Sequence, residues 1–209
     1  MSGDGDLWSV LVPVKRLSRA KTRLAVPEAI RAELALAMAI DTVCAVLATP
    51  AVAEVVVITD DDRAAPALEA LGARIVADVP DAGLNPALRY GAGVAAGTRI
   101  AALSADLPAL RTSDLDAILR LAASYRRSIV ADHSGVGTTM LAARGLTDFQ
   151  PSFGADSRAA HVRGGATDLT EDAGPTLRHD VDTVEGLDSA RALGLGSATD
   201  RVLATAPKP

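Results

Sequence analysis

The sequence predicts an α/β fold: one Rossmann-like domain on a mostly parallel, doubly wound sheet with helices on both faces. Two observations carry that expectation. Short Val- and Ile-rich runs recur along the 209 residues, and longer Ala/Leu-rich segments of helical periodicity separate them. The composition agrees, because 49% hydrophobic and 22% charged residues supply one sizeable core and exclude general disorder.

Trp8–Val14 is short and apolar enough for a strand buried on both faces. Glu28–Leu47 follows Pro27 and places Ile30, Leu34, Met38, Val43 and Leu47 at roughly helical spacing. Val55–Thr59 reads as a second strand, Ala64–Leu71 as a helix closed by Gly72, and Arg74–Ala77 as a third strand. Asn85–Ala96 is helical with Pro86 in its first turn, and Arg99–Ser104 is a fourth strand. Ser113–Ser124 is helical, with Thr112 or Ser113 as its cap. Beyond it, Ser128–Ala131 and Thr138–Ala142 suggest a small β-hairpin excursion. Ser157–His161 opens a short helix, Thr176–Val181 is a last strand, and Thr183–Leu193 a last helix. With no linker or repeat, the chain reads as one domain over 1–209, its ends at about 1–7 and 197–209 expected to be flexible.

Composition narrows the function. A net charge of −5 and five aromatic residues speak against a nucleic-acid partner. One cysteine, Cys44, expected in the core of a helix, excludes an internal disulfide and fits a reducing compartment. The acidic opening carries no secretory signal, and the most apolar stretch, Leu34–Ala48, contains Asp41 and is too short to span a bilayer. The expectation is a cytoplasmic protein with no membrane partner; an aliphatic helix such as Glu28–Leu47 could serve a homodimer.

Ligands of such sheets bind beyond the carboxyl ends of the strands, so the residues just after each strand matter most. After the first strand, residues 12–24 hold five cations and no acid: Lys15, Arg16, Arg19, Lys21 and Arg23. Only three of 21 cationic residues are lysines, and two of them fall here. A compact ammonium suits phosphate oxygens, so the turn is placed to hold a nucleotide triphosphate, although a solvated basic turn has the same composition. Neither GxGxxG nor the Walker pattern occurs.

Asp106 follows the fourth strand, and Asp180 and Asp182 close the last one, where a strand would point both to one face. Carboxylates from separate strand ends can hold Mg²⁺, which takes hard oxygen ligands and bridges to phosphates. Asp182-Thr183 also reads as a helix cap, and Asp60, Asp61 and Asp62 as a solvated turn and cap. Asn85 offers a donor and an acceptor for a base or ribose, or simply caps its helix. Residues 135–139 and 153–157 combine glycines with hydroxyls at Thr138 and Ser157, suiting a small phosphorylated acid near a helix start, or forming ordinary turns. His133, His161 and His179 lack metal-ligand spacing and default to solvated or structural roles. No nucleophile–base pair is recognisable. None is needed if the nucleophile is a phosphate, which is ionised at pH 7.

Val12-Pro13-Val14-Lys15, Lys21-Thr22-Arg23-Leu24, Gly83-Leu84-Asn85-Pro86-Ala87-Leu88, Asp106-Leu107-Pro108, Gly137-Thr138-Thr139, Phe153-Gly154-Ala155-Asp156-Ser157 and Asp180-Val181-Asp182-Thr183 occur in this order. Together they resemble the 2-phospho-L-lactate/phosphoenolpyruvate guanylyltransferases of coenzyme F-420 biosynthesis, from about Val10 to Leu193. The resemblance implies a single-domain nucleotidyltransferase fold using GTP and Mg²⁺, with metal ligands at Asp106 and Asp180, joined by Asp182. It also implies Thr138, Gly154 and Ser157 around a phosphorylated three-carbon acid. The expected arrangement has Pro13, Lys15, Lys21, Arg23 and Asn85 on the nucleotide, with Lys15, Lys21, Arg23 and Asp106 in catalysis. Phosphoenolpyruvate is the expected acceptor, from the Ala/Arg-rich composition typical of bacterial members, with 2-phospho-L-lactate or 3-phosphoglycerate as alternatives. The product would pass to a downstream transferase of the pathway. A non-catalytic nucleotide-binding module on the same fold is the alternative of another class.

Overall fold

The computed structural model describes residues 7–19, 21, 24, 28–79 and 81–205. Among the described residues seven strands form one sheet in the order β3-β2-β1-β4-β6-β5-β7. They are β1 (Trp8–Pro13), β2 (Val52–Ile58), β3 (Arg74–Val76), β4 (Arg99–Leu103), β5 (Arg127–Ala131), β6 (Thr138–Ala143) and β7 (Thr167–Asp168). The helices are α1 (Glu28–Leu47), α2 (Ala64–Glu69), α3 (Leu84–Val94), α4 (Thr112–Ala122), α5 (Ser157–Arg163), α6 (Val184–Leu193) and α7 (Ser197–Thr205). The parallel β/α expectation holds: β1 pairs in parallel with β2 and β4, β2 with β3, and β5 with β7.

The strand period sorts side chains between the two faces. Trp8, Val10 and Val12 point to the face packed with α1, α2 and α4, against Ala39, Val43, Leu68, Leu115 and Ile118. Leu11, Val56, Ile58 and Ile100 point to the other, against Ala87, Leu88 and Ala92 of α3. The approach of α3 needs a glycine: a Cβ on Gly91 would lie 2.5 Å from Ile58 Cδ1.

Three segments depart from expectation. The hairpin is no excursion: β6 inserts between β4 and β5, antiparallel to both, at the centre of the main sheet. Thr176–Val181 is not a strand. Pro175–Leu177 forms a 3₁₀ turn instead, because the buried Thr176 hydroxyl donates to Asp114 (2.6 Å) and accepts from the Arg111 N–H (3.1 Å). Those ties to α4 outweigh ladder pairing, and the edge position goes to β7. Residues 197–205, expected as a flexible end, form α7, which lies along α1. Val202 and Leu203 pack against a cluster holding Leu34, Met38 and Leu187, so the aliphatic flank of α1 is covered within the chain.

Smaller corrections concern caps and exposure. Neither Thr112 nor Ser113 caps α4, whose cap position is Arg111 without a side-chain bond. Thr183 rather than Asp182 caps α6, accepting from Gly186 N–H. Pro27 lies outside the described residues. Cys44 is exposed rather than in the core.

The Asp41 carboxylate on α1 accepts the N–H groups of Ala198 (3.0 Å) and Thr199 (2.8 Å), so it caps α7 from a distance of 157 residues in sequence. Replacing Asp41 by Ala should cost about 1–2 kcal/mol, read as a lower urea midpoint with an unchanged slope.

Candidate functional site

The parallel strands β1 and β4 end on one rim, and because β6 runs the opposite way its first residue, Thr138, starts on that rim too. The chain closes there around a cavity of about 490 Å³, within the range of small-molecule sites. Pro13 and Lys15 line it from the end of β1, with Lys21 beyond them and Asp106 from the end of β4. Asp180 and Asp182 line it beside Asp106 and Lys21, and Thr138, Gly154 and Ser157 complete the lining as a further wall. Arg23 lies outside the described residues.

Asp106 is held by backbone more than by its own side chain. Thr42, buried in α1, accepts from the Leu107 N–H (3.1 Å) and shares its one hydroxyl proton between the Met38 carbonyl (2.8 Å) and the Ala105 carbonyl (3.2 Å), tying the turn after β4 to α1. The Val181 N–H donates to the Asp106 carbonyl (3.0 Å). This bond brings Asp180 and Asp182, on either side of Val181 in sequence, close to Asp106, although no strand presents them.

The Lys21 ammonium donates to Asp106 Oδ2 and, at 2.9 Å, to Asp182 Oδ1. Burial works to lower the Lys21 pKa, but the charges of Asp106 and then Asp182 outweigh it and hold the ammonium above its usual value. Exposed pairs such as Arg63–Glu33 and Arg191–Asp188 contribute little, roughly 0–1 kcal/mol each. Lys21 differs because its side chain is only 9% exposed. It also has a left-handed backbone, φ 55°, a conformation rare outside glycine.

Asp180 has no such partner. Its Oδ1 is buried without a hydrogen bond, and His133 Nδ1 stands 3.6 Å away. Burial, and then the charges of Asp106, Asp132 and Asp182, push its carboxyl up to about 6. Asp132 is the acid that the sequence reading missed. It follows β5 as Asp106 follows β4, so the strand-end rule would have found it; instead its segment was read as hairpin loop. Its Oδ1 accepts from Ser134 Oγ (2.8 Å) and the Val136 N–H (3.1 Å), and a Cβ on Gly137 would sit 2.5 Å from its Oδ2.

Among the described residues no three metal-ligating side chains form a ready cage, since Lys21 lies between Asp106 and Asp182. An orphaned, charge-crowded carboxylate beside two more hard oxygen donors nevertheless fits a divalent cation.

The Thr138–Ser157 wall is built from buried polar groups. Ser157 Oγ and Thr138 Oγ1 are 3.1 Å apart, and Thr138 Oγ1 is 3.1 Å from His161 Nδ1. His161 Nε2 accepts the Ser152 N–H at 2.9 Å, and the ring meets Phe153 edge-on with centroids 5.0 Å apart. Burial, aided by the charge of Arg127, lowers the His161 pKa to about 4. Gly154 takes φ 136°, which favours glycine. Asn85 does not line the cavity. Its amide donates to the Phe153 carbonyl (2.9 Å) and accepts the Phe153 N–H (2.8 Å), so it is oriented onto the loop. The first turn of α5 is less open than expected as well, since the Arg158 N–H donates to the Val136 carbonyl. Of the acids left aside after β2, Asp61 is structural: it accepts from the Arg63 and Ala64 N–H groups at α2, and from Leu17 N–H in the basic turn.

Comparison with known proteins follows the same lines. A family model described as "Guanylyl transferase CofC like" matches residues 8–167. The chain belongs to this family. It is 50% identical to the phosphoenolpyruvate guanylyltransferase of Thermomonospora curvata, over 99% of this chain and 93% of that one. Identity to the Streptomyces coelicolor protein of the same name is also 50%, over 94% and 96% of the two chains. Both alignments extend past residue 167 and so cover much more of the chain than the family model does. The fold matches a nucleotidyl transferase from Methanothermobacter thermautotroptrophicus, with a TM-score of 0.61 at 23% identity over 97% of this chain and all of that one. It also matches the 4-diphosphocytidyl-2C-methyl-D-erythritol synthase of Anaerococcus prevotii, with a TM-score of 0.61 at 12% identity over 90% and 96%. The single-domain nucleotidyltransferase architecture is thus established. No helix among the described residues is long and apolar enough to cross a membrane.

The buried His161 makes stability depend on pH. Its folded pKa lies below the ordinary value of 6.5, so the unfolded chain takes the proton first and stability falls as pH drops from 6.5 towards 4. From pH 7 to 5 this amounts to about 2 kcal/mol. His161→Asn removes that component, and the stability gap between the two proteins should close by that amount in urea titrations at pH 7 and 5.

Proposed function

We propose that this protein transfers GMP from GTP to the phosphate of phosphoenolpyruvate and releases pyrophosphate. The observation that carries this reading is the convergence, across one cavity, of a lysine-bearing turn, a carboxylate cluster and a buried hydroxyl pair. Membership of the guanylyl transferase family and the names of its relatives at 50% identity support it.

In the reaction, an oxygen of the acceptor phosphate attacks the α-phosphorus of GTP. The bond from that phosphorus to the oxygen bridging it to the β-phosphate breaks, and its electron pair leaves with pyrophosphate. The acceptor phosphate is ionised at pH 7, so the chain supplies no general base, in keeping with the lack of a nucleophile–base pair. What it supplies is position and charge. Lys15, Lys21 and Arg23 neutralise the triphosphate, and Pro13 lies beside it. Thr138, Gly154 and Ser157 hold the acceptor. Asp106, Asp180 and Asp182 would hold Mg²⁺, which when bound orients phosphate oxygens and offsets their charge.

A second hollow of about 240 Å³ opens over the ends of β2 and β3 and shares Pro13, Val14, Lys15 and Leu84 with the main cavity, and we assign it to the nucleoside. With Asn85 oriented onto Phe153, base recognition falls to groups of this hollow, such as Thr59 and Asp78. We place the reaction in the cytoplasm, with the product passed to a downstream transferase.

The test is pyrophosphate release from purified protein with GTP, Mg²⁺ and phosphoenolpyruvate, 2-phospho-L-lactate or 3-phosphoglycerate. Phosphoenolpyruvate should be turned over best, and Asp106→Asn should lower kcat/KM about 10²-fold or more. Release with none of the acids removes the proposal. Metal use has its own readout. Because the folded pKa of Asp180 is raised to about 6, its ionisation costs stability that is fully lost above that pH. At pH 7.5 without divalent cations, Asp180→Asn should therefore melt about 2–4 °C above the parent. Mg²⁺ should raise the melting temperature of the parent and not of the variant.

A further inference from the structure

We propose that His161 is a positioning residue: it fixes the Thr138–Ser157 hydroxyl pair as a hydrogen-bond donor into the cavity, selecting an anionic oxygen of the acceptor. The inference rests on the acceptor reading above. Its ground is an accounting of protons.

The Ser152 N–H can only donate, so His161 Nε2, 2.9 Å from it, must accept. The neutral ring then carries its hydrogen on Nδ1, shared between Thr138 Oγ1 at 3.1 Å and the Ser157 carbonyl, and a protonated Nδ1 accepts no proton from the hydroxyl pair. Thr138 and Ser157 share two hydroxyl protons. One is used between them, across 3.1 Å. Whichever hydroxyl donates to the other, one proton is left. Among the described residues neither hydroxyl has a further acceptor, and both residues line the cavity. A ring with its hydrogen on Nε2 would instead draw the Thr138 proton onto Nδ1 and leave the pair an acceptor, which an anion avoids. The backbone N–H of Ser152 forbids that state.

The arrangement is built to hold this polarity. His161 and Ser157 are each 2% exposed, so bulk water does not compete for the ring. The two sit four residues apart on one face of α5, and Phe153 packs edge-on against the ring. Burial keeps the imidazole neutral over the working pH range, because its pKa is lowered to about 4.

The experiment compares His161→Asn, His161→Gln and Thr138→Val in the full chain, by steady-state pyrophosphate release with GTP, Mg²⁺ and phosphoenolpyruvate. An Asn amide nitrogen falls near the place of Nδ1 and can still donate to Thr138; a Gln amide reaches towards the place of Nε2 and cannot. Gln should raise the KM for the acid about 10-fold and leave the KM for GTP within twofold, Asn should retain most of the parental value, and Thr138→Val added to Gln should raise it no further. Equal behaviour of Asn and Gln, or parallel changes in both KM values, overturns the inference while an acid KM raised by Thr138→Val alone keeps the acceptor site. An acid KM unchanged in Thr138→Val overturns the acceptor reading itself, and the role of His161 with it. Should Gln fail to fold by circular dichroism, Asn paired with His161→Leu gives the same contrast with the same outcomes.

Discussion

Like charge held together inside one cavity is the constraint on which the site depends. Asp106, Asp180 and Asp182 converge because the Val181 N–H donates to the Asp106 carbonyl, a tie between two distant segments that the Thr176 bonds to Arg111 and Asp114 reinforce. Their repulsion is offset on one side by the Lys21 ammonium and left standing on the other, at the orphaned Asp180 Oδ1. A fold driven by stability alone would not keep a buried carboxylate oxygen without a hydrogen bond among three like charges. The surplus negative charge fits a centre whose ligands arrive with positive charge of their own.

Most of the architecture was legible because local pattern and global fold agree. The helix bounds Glu28–Leu47 follow directly from apolar spacing, and the first four strands lie where Val and Ile runs place them. The reading weakened where pairing partners are distant in sequence. Nothing local says that Thr138–Ala143 slots between β4 and β5, because that depends on a partner some 40 residues upstream. Thr176–Val181 has strand-like composition, yet the hydroxyl of Thr176 settles its conformation through Asp114, 62 residues away. The 197–205 tail looked loose because its anchor, Asp41, lies in the first helix.

The site followed a similar division. Residues directly after parallel strands were found by rule, as Lys15 and Asp106 illustrate. Asp132 obeys the same rule and was passed over once its surroundings were taken for a hairpin loop. Asn85 was legible as a functional amide but not as one oriented onto Phe153, since that bond crosses 68 residues. His161 carried no motif at all. Its part emerges only when donors and acceptors around Thr138 are counted, and such a count requires coordinates.

The reversed direction of β6 has a consequence for how such a cavity can diversify. Thr138 is the first residue of a strand paired on both sides, with Ala131 opposite it and the neighbouring Thr139 carbonyl accepting the Ser104 N–H at 2.9 Å. Its hydroxyl is therefore carried at the start of a strand of the main sheet, whereas the facing residues 153–156 are loop held by a few polar ties. A change within 153–156 alters the shape of the cavity without breaking a ladder bond, whereas a change at Thr138 acts on the sheet as well as on the cavity.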